Sequence, residues 1–173
     1  MIPSPFALGR IDHVHLRVPN RADAVRWYGE RLGFEPVERF RFWAEGFDGG
    51  PVQISADGGK TTLALFEATD THPMVPQATG VAFSVDVDAF VAFARSLSDE
   101  TLASIDGSPL RIDDVIDFDL CWAYEFADPW GNRFEVNCYD YQGVQKALID
   151  AFDVTPQRYW PAELIDQWRS TQP

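Results

Sequence analysis

The sequence predicts an α+β fold in which a unit of one strand, one helix and three strands occurs twice, before a helical C-terminal extension. The first unit begins with the alternating segment DHVHLRVPN, and the second begins near Gly80 with the similar segment GVAFSV. Aligning Val18 with Val85 matches the two first strands without a gap. Because an internal repeat determines the whole architecture, it outweighs any single motif.

In the first unit, period-two alternation over residues 12–20 predicts a half-buried strand. Its polar face carries His13, His15 and Arg17. Asn20 is a suitable N-cap for a helix that ends near Leu32, before Gly33. Three further strands are expected at residues 34–43, 52–55 and 61–67, with a turn at residues 57–59.

The second unit repeats this order. Asp86 or Asp88 caps a helix that carries Phe90, Phe93 and Leu97 on one face. The unit ends in the hairpin YEFADPWGNRFEVNCY, whose turn lies at residues 128–132. We therefore assign residues 10–70 to the first module, 71–79 to a linker, 80–140 to the second module and 141–173 to the extension. The helices of the extension either cover an edge of the domain or cross a dimer interface, and we expect a homodimer.

The composition limits the classes of partner. The chain has 173 residues and a formal net charge of −13, which should repel nucleic acid. No run approaches the ~20 apolar residues of a membrane span, and no signal-peptide pattern is present, so we expect a cytoplasmic protein without a membrane partner. The acidic surface suits an ordinary soluble enzyme or a salt-rich cytosol. Cys121 and Cys138 are too few for a disulfide framework, and we expect both to be reduced.

Three stretches of the chain resemble the vicinal oxygen chelate superfamily, which includes glyoxalase I, bleomycin-resistance proteins, fosfomycin-resistance enzymes and extradiol dioxygenases. They are DHVHLRVPNRADAVRWYGERLGFEP, GVAFSVDVDAFVAFARSL and ADPWGNRFEVNCYD. The resemblance implies two βαβββ modules whose curled mixed sheets enclose a shared cavity. It also implies a metal site with up to four ligands, one from the first strand and one from the last strand of each module.

The family's ligand positions can be carried over one at a time. They fall on His13, Ala64, Gly80 and Glu135, so two of the four carry a side chain that can bind a metal. His15 lies on the same strand face as His13 and would supply a third ligand for Zn, Mn, Fe or Ni. Strand parity places Glu67 on the opposite face from these ligands.

Two functions are consistent with this resemblance. In the first, a lyase, isomerase or dioxygenase uses a divalent metal to bind vicinal oxygen atoms of its substrate and to stabilise an enediolate or similar anion. Glu135 is then a metal ligand, or a catalytic general base. The alternative is a metal-free protein that binds or sequesters a small molecule, as bleomycin-resistance proteins do. The positions of Ala64 and Gly80 favour this alternative, whereas His13 and His15 favour the enzyme.

Folding the last hairpin about its turn identifies further candidate substrate-binding residues. This register places, to within one residue, Tyr124 opposite Glu135 and Trp122 opposite Asn137. Since Glu135 and Asn137 alternate with apolar residues, we expect their face to line the cavity together with both aromatic side chains. Arg17 could bind a carboxylate or phosphate of the same ligand.

Overall fold

The computed structural model describes residues 10–46, 48–75, 80–98 and 102–170. The chain divides into two compact units, Met1–Val75 and Pro76–Pro173. Each unit contains one mixed sheet with helices on one of its faces, so the predicted α+β class is confirmed. None of the described helices is long and apolar enough to cross a bilayer.

The first unit begins with strand β1 (His13–Val18) and helix α1 (Arg21–Leu32). As predicted, the Asn20 side chain caps α1 by accepting a hydrogen bond from the backbone N–H of Asp23 at 2.9 Å. Gly33 ends the helix with a left-handed backbone (φ = 69°). The remaining strands are β2 (Glu35–Pro36), β3 (Val52–Ser55) and β4 (Thr62–Glu67). Their order in the sheet is β1-β4-β3-β2, with β1 parallel to β4.

The strand predicted for residues 34–43 is wrong beyond Pro36. The chain forms instead a 3-10 turn (Glu38–Phe40) and helix α2 (Arg41–Gly46). The Val37 N–H still donates to the Gln53 carbonyl oxygen of β3 at 2.9 Å, and the pairing ends where the 3-10 turn begins at Glu38. One helical turn apart, the Arg41 guanidinium donates to the Glu45 carboxylate at 2.7 Å, a contact that favours the helix.

The second unit repeats the order with strand β5 (Gly80–Ser84) and helix α3 (Val87–Ser96). Of the two predicted caps, Asp86 is the one that accepts a hydrogen bond from the Ala89 N–H, at 2.8 Å. A 3-10 turn (Ile112–Asp114) precedes strands β6 (Ile116–Asp117), β7 (Trp122–Ala127) and β8 (Arg133–Cys138). A short strand β9 (Gln157–Arg158) extends the sheet to the order β5-β8-β7-β6-β9.

The C-terminal extension packs on the second unit. Its first helical stretch comprises α4 (Tyr141–Val144), a π-helical turn (Gln145–Ile149) and α5 (Asp150–Phe152), and α6 follows (Ala162–Ser170). Val144 and Leu148 are fully buried, and this stretch contacts α3. Each such buried side chain contributes roughly 1.5–3 kcal/mol of transfer free energy. The extension therefore belongs to the core of this unit.

Each sheet has one apolar face, which its helices cover. In the first unit α1 packs on the sheet, and in the second the rings of α3 lie against those of β7. The fully buried apolar residues of the two sheets include Val18, Ile54, Leu65, Tyr124 and Phe126. Because side chains alternate along a strand, the opposite face of each sheet presents the other residues, which are polar or small apart from Phe66.

Candidate functional site

The polar face of the first sheet carries the predicted histidines. His13, His15 and Arg17 alternate along β1 with the buried residues Leu16 and Val18. The parallel register sets His15 beside Ala64 of β4. Neighbouring side chains in a sheet point to the same face, so the small, fully buried Ala64 lies beside His15 on this face.

The two histidines are in direct contact. Their Nε2 atoms lie 2.9 Å apart and their rings stack with centroids 4.9 Å apart. On its other side, His13 Nδ1 lies 2.8 Å from the Asp12 carboxylate. A carboxylate at one ring nitrogen fixes the tautomer, so His13 donates from Nδ1 and its Nε2 accepts from His15. We call this hydrogen-bonded series the histidine chain (Asp12, His13, His15).

The charges of the histidine chain differ along its length. The hydrogen bond from His13 holds the pKa of Asp12 below its ordinary value, so this carboxylate stays ionised. Partial burial lowers the pKa of His15 below its ordinary 6.5, and the neighbouring His13 and Arg17 lower it further. The neutral form of the His15 ring is therefore favoured at pH 7. This ring packs edge-on against the Phe66 ring, with the ring centroids 4.8 Å apart. A neutral imidazole can accept a hydrogen bond or a proton from a ligand.

Arg17 adds a cation to the same face. Its guanidinium donates to the Glu67 carbonyl oxygen at 3.5 Å and lies 5.9 Å from the centre of the Phe66 ring. The Glu67 side chain turns to the opposite face, as strand parity predicted, where it accepts from the Arg21 N–H at 3.1 Å. The first sheet thus offers an imidazole, a guanidinium and an aromatic ring on one side.

The register of the last hairpin lies within one residue of the expected one, but that one residue decides which face each side chain occupies. Tyr124 pairs with Val136, and Trp122 pairs with Cys138. The turn forms the expected five-residue loop 128–132, in which Asp128 Oδ1 accepts from the N–H groups of Trp130 and Asn132 at 2.9 and 2.8 Å, and this loop pairs Ala127 with Arg133. A slip of one residue moves every side chain to the other face of the sheet.

Trp122 and Tyr124 consequently lie on the core face of the sheet, and not on the polar face where they were expected. Both are almost fully buried, at 1% and 0% exposure. The Tyr124 ring packs against Phe90 of α3 at 5.4 Å, and its hydroxyl donates to the Ile112 carbonyl oxygen at 2.7 Å. Cys121 and Cys138 are also buried, and both are free thiols, as predicted.

In place of the aromatic pair, the polar face of the second sheet carries Glu125. It lies directly opposite Glu135, and Asn137 is two residues further along β8. Burial and the charge of Glu135 raise the pKa of Glu125 above its ordinary value. Sequence reasoning missed Glu125, although the alternation Tyr124, Glu125, Phe126 places this carboxylate opposite the aromatic residues.

The strand registers support the repeat at the level of single positions. His15 pairs with Ala64 in the first unit, and Ala82 pairs with Glu135 at the equivalent place in the second. His13 lies two residues before His15, and Gly80 lies two residues before Ala82, so His13 and Gly80 also occupy equivalent positions. In each unit, the two positions that match the family's ligand positions therefore lie on adjoining strands, two residues out of register, and one of them lacks a side-chain donor atom.

These residues fit a metal site only in part. Nε2 atoms that bind one zinc ion lie roughly 3.3 Å apart, so His13 and His15 could bind one ion after a small separation of the rings. Ala64 and Gly80 supply no donor. Within either unit, no group of three His, Cys, Asp or Glu side chains could hold a metal ion, as far as the described residues extend.

Comparison with known proteins places this arrangement in a family. The family described as the Glyoxalase/Bleomycin resistance protein/Dioxygenase superfamily matches residues 10–136, a range that begins before β1 and ends within β8. No curated protein matches the chain.

Several solved structures share the fold. One is a glyoxalase/dioxygenase from Nostoc punctiforme (TM-score 0.55, 23% identity, 80% of this chain and 97% of that chain). Another is TnmS3, an antibiotic binding protein from Streptomyces sp. CB03234 (TM-score 0.52, 21% identity, 78% and 99%). A third is FosX, a fosfomycin resistance protein from Listeria monocytogenes (TM-score 0.54, 10% identity, 80% and 99%). At these identities the likeness concerns the fold alone.

Proposed function

The chain belongs to the Glyoxalase/Bleomycin resistance protein/Dioxygenase superfamily, and we propose that it binds a small organic molecule on the polar faces of its sheets without a metal ion. The observation that carries this proposal is that, in each unit, one of the two positions matching the family's metal ligands has no donor side chain. These positions are Ala64 in the first unit and Gly80 in the second. A structural neighbour, TnmS3, is described as an antibiotic binding protein.

The side chains on these faces suit direct binding of an organic ligand. In the first unit, the neutral His15 accepts a hydrogen bond, Arg17 supplies a positive charge, and the Phe66 ring offers an apolar surface. In the second unit, Glu135 and Asn137 offer oxygen acceptors. A few polar groups set beside apolar surface are typical of small-molecule sites.

Thermal unfolding of the full chain in the presence of a fragment library, after treatment with a chelator, tests this proposal. A compound that binds the folded state raises the unfolding midpoint by mass action. We expect active compounds to lose their effect on His15→Ala and to keep it on the matched control His72→Ala, because His72 lies outside the polar face. Equal effects on both variants, or effects that require added metal, would contradict the proposal.

A second candidate function, a metal-dependent lyase, isomerase or dioxygenase, is favoured by the histidine chain. A carboxylate that orients the far nitrogen of an imidazole is the usual outer partner of a metal-binding histidine, and Asp12 holds this place behind His13. In this proposal His13, His15 and Glu135 would hold Zn, Mn, Fe or Ni. The bound ion would supply Lewis-acid polarisation of substrate oxygen atoms. Glu135, when not a ligand, would be the general base.

Reconstitution with cobalt(II), followed by visible absorption and metal analysis, distinguishes the two candidates. The metal-dependent function requires one ion per chain, lost in His13→Ala and in Glu135→Ala but retained in His72→Ala. Our leading proposal predicts less than stoichiometric metal in all four proteins.

A further inference from the structure

The polar face of the second sheet concentrates hydrogen-bond acceptors above a floor of small side chains. Glu125 and Glu135 are paired directly across β7 and β8, and Asn137 follows on the same face. We call these three residues the acceptor face. The neighbours that pair with them in the adjoining strands are Ala82, Ser84 and Ala123. Ala82 and Ser84 are exposed, whereas Ala123 is fully buried, so the face is accessible from its β5 side.

The two carboxylates of the acceptor face lack a counter-charge in contact with them. In the described part of the chain, neither makes a hydrogen bond or an ion pair. Arg133 lies two residues before Glu135 on the same strand, and its charge lowers the pKa of Glu125 by less than the charge of Glu135 raises it. Like charges directly opposite each other in a sheet destabilise the fold.

Asn137 gives a second and independent indication. Only 7% of this residue is exposed, and its Oδ1 atom is buried without a hydrogen-bond partner among the described residues. A buried amide is nearly always hydrogen-bonded, because an unpaired one has lost its water without replacement. This unmet acceptor lies on the same face as the two carboxylates.

The other carboxylates at the core of this unit all have partners. The Asp117 carboxylate accepts from the Tyr141 hydroxyl at 3.0 Å, Asp119 accepts from Arg158 at 2.7 Å, and Asp128 accepts from the Asn132 side chain at 2.7 Å. Each of these three carboxylates therefore has at least one partner, although Asp119 Oδ2 is also buried without one. The carboxylates of the acceptor face have no partner of this kind, and their position on the polar side of the sheet suggests one from outside the chain.

We infer that the acceptor face binds the ammonium or amidinium group of a small organic ligand. Such a group presents two or three N–H donors and a positive charge, which match two carboxylates and one amide oxygen. The inference rests on the proposed small-molecule binding and names the chemical class of the ligand. It also accounts for a like-charged pair that weakens the unliganded sheet.

Titration of the full chain with three matched probes, followed by ¹H–¹⁵N NMR spectra at low salt, tests the inference. The probes are benzylammonium, benzyl alcohol and benzoate, which share one ring and differ in the charge of one group. We expect benzylammonium to shift the amides of residues 82–84, 123–125 and 135–137. Its dissociation constant should be about tenfold lower than that of benzyl alcohol, as for one charge-assisted hydrogen bond.

Isosteric glutamine variants test whether the Glu125 carboxylate causes the preference for benzylammonium. Glu125→Gln should abolish the preference for benzylammonium over benzyl alcohol, and the same spectra report whether the variant is folded. Glu163→Gln, on α6, should keep the full preference. Equal or tighter binding of benzyl alcohol or benzoate on this face would overturn the inference and leave small-molecule binding standing. If no probe shifts the polar face of either sheet, both the inference and the proposed function fail.

Discussion

Glu125 shows how one side chain on the polar face can weaken the fold. It lies opposite Glu135 without a cation in contact, so replacing it with the isosteric glutamine removes repulsion and keeps the shape. We expect Glu125→Gln to raise the free energy of unfolding by about 0.5 kcal/mol in urea titrations, within the range of cross-strand charge pairs. Glu30→Gln, on the exposed surface of α1, should leave it unchanged. A loss of stability in Glu125→Gln alone would mean that Glu125 supports the fold.

Tyr141 controls stability at high pH. Burial and the hydrogen bond to Asp117 raise its pKa from 10.0 to about 12. Because the folded-state pKa is raised, the contribution of Tyr141 to stability is fully present below pH 10.0 and is lost as the pH rises toward about 12.

Tyr141→Phe should therefore lose less stability than the wild type over this alkaline interval. Urea unfolding at a series of pH values from 9.0 to 11.5 measures the difference, with Tyr139→Phe, an exposed tyrosine, as control. Parallel losses in the wild type and in Tyr141→Phe would show that the Asp117 contact does not hold the proton.

At the scale of elements, helix α1 depends on its N-cap. The Asn20 side chain satisfies the N–H of Asp23, one of the free donors of the first turn. We expect Asn20→Ala to lower the free energy of unfolding by about 1 kcal/mol in urea. Asn20→Ser, which can still accept this hydrogen bond, should retain most of the stability. If serine destabilised the protein as much as alanine, the capping bond would not be the cause.

Elements set by local signals could be predicted from the sequence. Strand β1 shows clear alternation, α1 has a cap and a terminal glycine, and both agree with the structure. The segment 34–43 could not be assigned from its aromatic composition, because contacts between its own side chains favour a helix.

The hairpin register was not accessible from alternation alone. Alternation fixes which residues of one strand share a face, but the pairing of two strands depends on the exact closure of the turn. Here the five-residue loop 128–132, closed by the Asp128 side chain, pairs Ala127 with Arg133 and therefore Tyr124 with Val136, one residue from the expected register. That single step moved Trp122 and Tyr124 into the core and left Glu125 on the polar face.

For the whole molecule, the repeat was the most reliable guide. The registers of β1 with β4 and of β5 with β8 place equivalent residues at equivalent positions, as the alignment of Val18 with Val85 predicts. The repeat predicts the fold but not the ligand, because the class of ligand is inferred from side chains, such as Glu125, that have no partner in the fold. A polar group that lacks a partner can be identified only when the structure shows the contacts of each group.

The net charge of −13 predicts a response of the whole chain to salt. Self-repulsion among carboxylates opposes the compact state, and at 1 M salt screening shortens its range to about 3 Å. We expect the thermal unfolding midpoint to rise steadily between low and molar potassium chloride. A midpoint independent of salt would show that the acidic surface costs the fold little.

The most direct test of the account is a ¹H–¹⁵N NMR fragment screen on the chelator-treated full chain. We predict that bound fragments shift amides on the polar strand faces, at residues 13–17, 62–66, 82–84 and 135–137, and that added zinc changes neither the set nor the affinities. Fragments that cluster elsewhere, or that bind these strands only in the presence of zinc, would contradict metal-free binding at the polar faces.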